Sequence, residues 1–300
     1  MALGYDRPLF ILAFDHRGSF QKKMFGIPGD ATPEETQTIV DAKTLIYEGF
    51  EAAVSAGAPD GAGLLVDEQF GSEVARAAKA AGHIFAMPAE KSGQNNFEFQ
   101  YGDAFGEHIT DFDPAFCKVL VRWNPEGDTE MNKNQGEHLA RLSEWLHTND
   151  RKFLFELLVP AEDVQMARVD GSTDRYDTEL RPDLMVQTIT EIQDAGAEPD
   201  IWKIEGVDDR GDCERIATTT QRGGRGGVAC VVLGRGADDA KVDHWLRTGA
   251  GVPGYVGFAI GRSIWWDALK GYLDGEFDRG TAAEQISTNY RRFIDVYRGA

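Results

Sequence analysis

Eight short apolar runs, separated by longer segments of helical character, recur along the 300 residues of this sequence. Each run is rich in branched or aromatic residues and is bounded by turn residues, which is typical of buried strands. The runs are Leu9–His16, Gly63–Gln69, Ile84–Lys91, Cys117–Asn124, Phe153–Pro160, Ile201–Gly206, Ala229–Gly234 and Tyr255–Gly261. Strands that alternate with helices form parallel βαβ units, and eight such units favour a closed barrel over an open sheet. The sequence therefore predicts one α/β domain over residues 1–300, a (β/α)8 TIM barrel.

Several of the intervening segments carry helix signals. Pro33–Ala56 follows the N-cap residue Thr32 and opens with proline and two glutamates, which favour a helix start. Further helices are predicted at Ser72–Ala81, Asn134–His147, Pro182–Ala195, Asp238–Thr248 and, as a pair, across Ile264–Tyr297. Ser92–Pro114 and Ala161–Leu180 show no clear pattern, so we expect long irregular loops there, able to act as lids over the catalytic face.

Charge and composition limit the classes of partner. Asp and Glu number 50 against 31 Lys and Arg, a formal net charge of −19. Such a field repels nucleic acids and anionic membranes, so neither is expected as a partner. The sequence has no apolar run of about 20 residues, no signal-peptide pattern and three scattered cysteines. These features predict a cytoplasmic protein with reduced thiols.

Charged residues inside three successive predicted strands are the strongest functional signal. Lys118 and Glu156 each interrupt an otherwise apolar strand, and Lys203 lies in the strand after them. An unpaired charge in a barrel costs several kcal/mol, so we expect these side chains to neutralise one another. They are either a buried ion-pair network or catalytic groups. A partly desolvated lysine beside a second ammonium gives up its proton more readily, and its free amine can condense with a ketone.

Glycine–arginine pairs end the last two strands. Gly234 and Arg235 follow the seventh strand, and Gly261 and Arg262 follow the eighth, just before a helix that begins near Ser263. Barrels often bind phosphate here through backbone N–H groups and the helix dipole. The pairs therefore predict a phosphate site, although a tight turn with a surface arginine would look the same.

Histidines offer little support for a metal site. A catalytic zinc needs about three protein ligands, usually with two or more histidines. Of six histidines, only His16 lies at a catalytic strand end. No zinc or other cofactor is predicted, while a magnesium ion on Asp67 or Glu68 stays open.

The motifs resemble a known enzyme family. Phe10–Arg17 and Trp202–Glu205, with the two glycine–arginine ends, resemble the class I barrel aldolases related to tagatose-bisphosphate aldolase. The resemblance is closer to the aldolase of myo-inositol catabolism and extends through the whole chain. It implies cleavage of 5-dehydro-2-deoxy-D-gluconate 6-phosphate to dihydroxyacetone phosphate and malonate semialdehyde. His16 stands where tagatose-type enzymes tend to have Gln, which argues against a tagatose substrate.

The resemblance also implies roles for four residues. Lys203 matches the lysine that forms the Schiff base, and Glu156 matches a carboxylate that transfers protons as the iminium forms and is hydrolysed. Lys118 matches a second lysine that assists the first. Asp15 matches an aspartate that orients substrate hydroxyls.

The implied substrate is a phosphorylated keto sugar or sugar acid, with an anion at each end. Arg235 and Arg262 fall where its phosphate is expected, and Arg17 or Arg122 is placed to pair with its carboxylate. Either of these last two could instead pair structurally with Asp15, Asp67 or Glu156, and Asp67 is a further candidate for substrate binding.

Other functions and an assembly stay open. The chain could cleave tagatose bisphosphate or a sulfosugar phosphate, act as a metal-dependent lyase, or be a catalytically silent sugar-phosphate sensor. A homo-oligomer is possible through Trp265 and Trp266, which could equally pack against the barrel.

Overall fold

A computed structural model describes residues 2–299 and contains a closed barrel of eight parallel strands. The strands are β1 (Leu9–Ala13), β2 (Ala62–Leu65), β3 (Ile84–Pro88), β4 (Phe116–Arg122), β5 (Lys152–Leu158), β6 (Ile201–Glu205), β7 (Ala229–Leu233) and β8 (Tyr255–Ile260). They pair in chain order, and β1 closes the barrel against β8. The prediction of a TIM barrel is confirmed.

Helices follow the strands and cover the outside of the barrel. They are α1 (Gly18–Phe25), α2 (Pro33–Ser55), α3 (Glu68–Ala80), α4 (Phe105–Phe112), α5 (Thr129–Thr148), α6 (Asp163–Arg168), α7 (Thr173–Arg175), α8 (Arg181–Asp194), α9 (Arg210–Thr220), α10 (Asp239–Gly249), α11 (Arg262–Leu273) and α12 (Arg279–Arg298). A π-helical turn, Tyr176–Leu180, joins α7 to α8. None of the helices in the described part of the chain is long and apolar enough to cross a bilayer.

The two stretches predicted as irregular loops are partly helical. The first contains a 3₁₀ turn (Gly102–Ala104) and α4, and the second contains α6, α7 and the π-helical turn. Helices α1 and α9 were also not predicted. Most of these segments are short and charged, so the apolar periodicity that marks a helix in sequence is weak in them.

The barrel interior is apolar at its lower levels and charged at the top. A small core cluster of inward-facing residues fills the bottom, with Leu9, Ile11, Phe116, Leu154 and Ile201 among its members. Side chains two positions further along a strand point to the same side, one level higher. Charged residues of β4, β5 and β6 therefore lie above this apolar layer, towards the C-terminal ends of the strands.

The two ends of the chain are joined across the barrel wall. The Tyr290 hydroxyl on α12 donates to the Phe10 carbonyl in β1 and accepts from the Gly63 N–H in β2. Helix α12 packs closely on α2 at Gly49. A Cβ at this position would lie 2.5 Å from a methyl carbon of Ile286, which is too close for any other residue.

Candidate active site

A cavity of about 400 Å³ opens at the C-terminal ends of the strands. Its volume suits a small molecule. The side chains from the centre of the barrel that line it are those of Asp15, Glu90, Lys118, Glu156 and Lys203. These five residues form what we call the central cluster.

Lys118 lies at the middle of the central cluster. Its ammonium contacts Asp15 Oδ2 at 2.8 Å, Glu90 Oε1 at 2.9 Å and Glu156 Oε2 at 3.0 Å. The Lys118 side chain is only 1% exposed, so these carboxylates replace its hydration. Three acceptors match the three N–H donors of an ammonium.

Lys203 joins the central cluster through Glu156. Glu156 and Lys203 are register partners on neighbouring strands, which brings their inward-facing side chains together. Lys203 Nζ lies 3.0 Å from Glu156 Oε2, the oxygen that Lys118 also contacts. The Lys203 side chain is 3% exposed and reaches the cavity floor. The structure thus brings together the four residues to which the family resemblance gives catalytic roles.

Burial and neighbouring charges shift the pKa values of the central cluster in opposite directions. Burial raises the pKa of Asp15, but the ammonium groups of Lys118 and Lys203 outweigh it and hold that pKa below its ordinary value. The same opposition lowers the pKa of Glu156. Burial lowers the pKa of Lys118, yet its three carboxylates outweigh that effect and raise it. Glu90 differs, because burial prevails over the nearby cations and its pKa is raised.

Glu90 was not among the predicted site residues. It follows β3 in the sequence Glu90-Lys91, and its contacts with Lys118 of β4 and with Arg17 place it in the central cluster. Arg17 Nη2 donates to its backbone carbonyl at 2.8 Å and to its Oε1 at 3.3 Å. Its other carboxylate oxygen is buried without a hydrogen-bond partner among the described residues.

Arg17 lines the cavity and is held by an ion pair, while its Nη1 has no hydrogen-bond partner among the described residues. Its side chain is 4% exposed and is held by Glu90. Glu68 Oε1 lies 3.9 Å from Arg17 Nη1. The sequence left open a structural ion pair between Arg17 and Asp15, Asp67 or Glu156. Arg17 does form structural ion pairs, but its partners are Glu90 and Glu68.

Asp67 does not reach the cavity, in contrast to its prediction as a substrate-binding residue. Its buried carboxylate pairs with Lys43 of α2 and accepts the N–H of Phe70, capping α3. The Lys43 ammonium also donates to the carbonyls of Phe14 and His16 at 2.9 and 3.0 Å. Asp67 therefore supports the backbone on both sides of Asp15 from outside the barrel.

One corner of the cavity carries groups that favour negative charge. Gly234, Gly261, Arg262 and Ser263 line it, and α11 begins there without a side-chain cap. Helix α1 also begins at the cavity uncapped, next to β8. Free N–H groups at a helix start favour negative charge. Arg262 has no carboxylate within ion-pair distance among residues 2–299.

Arg235 lines the same corner, but its guanidinium is turned towards two carboxylates. Its Nη1 lies 2.6 Å from Asp177 Oδ2, and its Nε lies 2.9 Å from Glu205 Oε1. The residue has a left-handed backbone, with φ of 54°. Arg235 therefore lies beside the predicted phosphate site, with its charge engaged by the π-helical turn and by β6.

The opposite wall carries polar groups from the loop after β3. Ser92, Gln94 and Asn96 line it together with Arg122 at the end of β4. Arg122 Nη1 donates to the Gln94 carbonyl at 3.0 Å. Since β4 and β8 are four strands apart in an eight-stranded ring, Arg122 and Arg262 lie on opposite sides of the mouth.

His16 lines the cavity, although it was not among the predicted site residues. Its ring lies edge-on to Trp265, with centroids 5.7 Å apart. Burial lowers the pKa of His16 to about 4, so the imidazole is neutral at physiological pH. Trp265 itself is buried and donates to the Ala13 carbonyl, so it packs against the barrel.

The carboxylates of this region are committed to cations. No group of three or more His, Cys, Asp and Glu side chains in the described residues has a metal-binding arrangement. Asp67, a candidate magnesium ligand in the sequence, contacts Lys43, and Glu68 lies between Arg17 and the Tyr101 hydroxyl.

Comparison with known proteins places the sequence in a family. Residues 5–300 match the family described as "Uncharacterized protein conserved in bacteria (DUF2090)". The chain belongs to this family. A comparison of this DUF2090 member with curated protein sequences finds no match.

Solved structures with a similar fold include aldolases. Fructose-bisphosphate aldolase from Plasmodium falciparum, solved with TRAP and a small-molecule inhibitor, is 14% identical, with a TM-score of 0.67 over 98% of this chain and 91% of that chain. Cgl0159 from Corynebacterium glutamicum is 15% identical, with a TM-score of 0.60 over 97% and 88%. The YdjI aldolase from Escherichia coli K12 is 12% identical, with a TM-score of 0.52 over 84% and 87%. At these identities the likeness shows the barrel fold that this DUF2090 protein shares with them.

Proposed function

We propose that this protein is a class I aldolase in which the Lys203 amine forms a Schiff base with a phosphorylated keto sugar or sugar acid. One observation carries the proposal. Two lysines share one oxygen of Glu156 on the floor of an open cavity, where a purely structural ion pair needs only one lysine. Lys203 is the lysine with fewer carboxylate contacts, so it is the better placed to release its proton and react.

We propose the following course for Schiff-base formation, in which these contacts take part. The free Lys203 amine attacks the substrate ketone, and Glu156 moves a proton from the nitrogen to the former carbonyl oxygen. The resulting hydroxyl takes up the proton that the Lys203 ammonium released in becoming an amine and leaves as water, and the positively charged iminium remains. The Lys118 ammonium stays beside Glu156 and keeps its carboxylate oriented during these transfers.

The iminium then draws electrons from the adjacent carbon–carbon bond. A carboxylate takes the proton of the β-hydroxyl, the bond breaks, an aldehyde leaves, and an enamine stays on Lys203. Asp15, held ionised next to Lys118, is the proposed base. Protonation of the enamine carbon and addition of water release the ketone product and restore the amine.

The two sides of the mouth support a substrate with an anion at each end. The start of α11 and Arg262 suit a phosphate, and Arg122 on the opposite wall suits a carboxylate. We therefore propose 5-dehydro-2-deoxy-D-gluconate 6-phosphate as the substrate, cleaved to dihydroxyacetone phosphate and malonate semialdehyde. Arg122 would equally suit the sulfonate of a sulfosugar phosphate, and tagatose bisphosphate offers a second phosphate.

Borohydride trapping tests the covalent step. Incubation with dihydroxyacetone phosphate and borohydride is expected to inactivate the enzyme and to leave a reduced adduct that peptide mass spectrometry locates on Lys203. An adduct elsewhere, or none, would contradict the proposal. Cleavage of the candidate substrates by the purified chain separates an aldolase from a silent sensor, and activity that survives EDTA separates it from a metal-dependent lyase.

A further inference from the structure

Glu90 is the buried carboxylate of the central cluster that the proposed reaction does not use. It contacts neither Lys203 nor Glu156 directly, yet its Oε1 lies 2.9 Å from the Lys118 ammonium. Lys118 contacts Glu156 at 3.0 Å, and Glu156 contacts Lys203 at 3.0 Å. Three consecutive contacts therefore connect Lys203 to Glu90 through two titratable groups, the Glu156 carboxylate and the Lys118 ammonium.

We propose that Glu90 stores the proton that Lys203 must lose before its amine can attack the substrate. The inference rests on the proposed aldolase function. In this step the Lys203 ammonium passes a proton to Glu156, Lys118 passes one of its own to Glu90, and Glu156 returns one to Lys118. The net change is one proton moved from Lys203 to Glu90, with Lys118 and Glu156 restored. Dehydration of the carbinolamine draws the proton back along the same contacts.

The surroundings of the three carboxylates explain why the proton ends on Glu90. Asp15 and Glu156 are held in their ionised forms by the lysines, so a proton on either is unfavourable. Burial makes the protonated form of Glu90 less costly, as its raised pKa reflects. A proton on its unpartnered Oε2 also removes charge from a buried oxygen that accepts no hydrogen bond from the described residues.

Charged groups from every neighbouring element bear on Glu90. Arg17 and Asp15 approach from the end of β1, Lys118 and the neutral Cys117 thiol lie on β4, and Glu156 lies beyond Lys118 on β5. The start of α3 adds Glu68, 3.9 Å from Arg17. Arg17 fixes the position of Glu90 by binding its backbone carbonyl as well as its carboxylate.

Glu90 acts through Lys118 and does not touch the reacting atoms, so a loss of rate alone would not identify its role. The test is the pH dependence of borohydride-trapped adduct formation with dihydroxyacetone phosphate, in the wild type and in Glu90→Gln. The amide keeps the acceptor oxygen for Lys118 but cannot take up a proton. Glu107→Gln, an exposed site on α4, controls for loss of one negative charge.

We expect the wild-type rate to level off above the pKa of Glu90. The Glu90→Gln rate should be about 10²-fold lower near neutral pH and rise about tenfold per pH unit, because water must then accept the proton. Glu90→Asp, which keeps an acid, should restore the plateau at a lower rate. It also provides the comparison if the glutamine variant does not fold.

The outcomes separate this inference from the function on which it rests. No adduct in the wild type would overturn the aldolase proposal, and the role of Glu90 with it. An adduct in the wild type with an unchanged rate in Glu90→Gln, or with a loss equal at every pH, would overturn the role of Glu90 alone. A Glu90→Asp profile without a plateau would overturn it as well.

Discussion

Lys118 and Lys203 contact the same oxygen, Glu156 Oε2, each at 3.0 Å. The two ammonium groups differ in everything else around them. Lys118 has two further carboxylates within 2.9 Å, whereas Lys203 has none among the described residues. Lys118 is thus surrounded by carboxylates at the middle of the cluster, and Lys203 lies at its edge, where it reaches the cavity.

Replacing Lys203 by methionine should abolish the proposed chemistry without unfolding the barrel. Methionine keeps most of the volume and lacks the amine, so we expect kcat/KM to fall on the order of 10⁴-fold or more. Steady-state cleavage assays and borohydride trapping measure the effect. Retention of a tenth of the activity would show that another group carries the reaction.

Replacing Lys118 by methionine should destabilise the fold as well as the site. Asp15, Glu90 and Glu156 would face one another without the cation between them, and breaking a buried ion pair costs about 3–5 kcal/mol. Urea denaturation monitored by circular dichroism measures the change in free energy of unfolding. Adding Glu90→Gln to the variant should recover part of the loss, because one buried charge is removed. A loss below about 1 kcal/mol, the value of an exposed pair, would be inconsistent with this arrangement.

Replacing Arg262 by alanine should weaken binding of the phosphate group. A hydrogen bond to a charged group contributes about 1.5–3 kcal/mol, so we expect KM to rise about 10- to 100-fold, with a smaller change in kcat. Arg247→Ala, at an exposed position on α10, is the matched control. Equal KM values for the two variants would place the phosphate elsewhere.

The raised pKa of Glu90 predicts how stability changes with pH. The folded-state pKa of Glu90 lies above its unfolded-state value of about 4.3. Glu90 therefore contributes its full stabilisation at pH values below about 4.3, and this stabilisation is lost as the pH rises through the folded-state pKa. Above about pH 4.3, the free energy of unfolding of Glu90→Gln should therefore improve relative to the wild type as the pH rises through the folded-state pKa of Glu90. Urea denaturation of both proteins across this range measures the difference, and a constant difference would contradict the prediction. Asp15 and Glu156 have lowered pKa values, so their contributions are lost only as the pH falls through those values.

The sequence predicted the barrel and the inward-facing charges because both follow from local regularity. Period-two alternation assigns Lys118, Glu156 and Lys203 to the barrel interior, and parallel strand order places them on neighbouring strands. The partners of Arg17 and Asp67 could not be predicted in the same way. They depend on the paths of separate loops, and Glu90 is 73 residues from Arg17 in sequence.

Arg235 shows the same limit for the phosphate corner. The glycine–arginine pattern predicted its position at the cavity, and that position agrees with the structure. The direction of the Arg235 guanidinium depends on Asp177, which lies 58 residues earlier in the chain. Asp177 belongs to a π-helical turn that no apolar pattern marks.

The hydrogen bonds by which Tyr290 links α12 to β1 and β2 also affect how the protein folds. Tyr290 lies 280 residues from the carbonyl that it binds, so a growing chain cannot make this contact until α12 has been synthesised. Contacts at such sequence separation slow folding and leave strand edges open in partly folded chains. Asp15 follows β1, which pairs with β8, the last strand of the barrel to be synthesised. The buried charges around Lys118 should therefore assemble late on the ribosome, when nearly the whole chain is available to cover them.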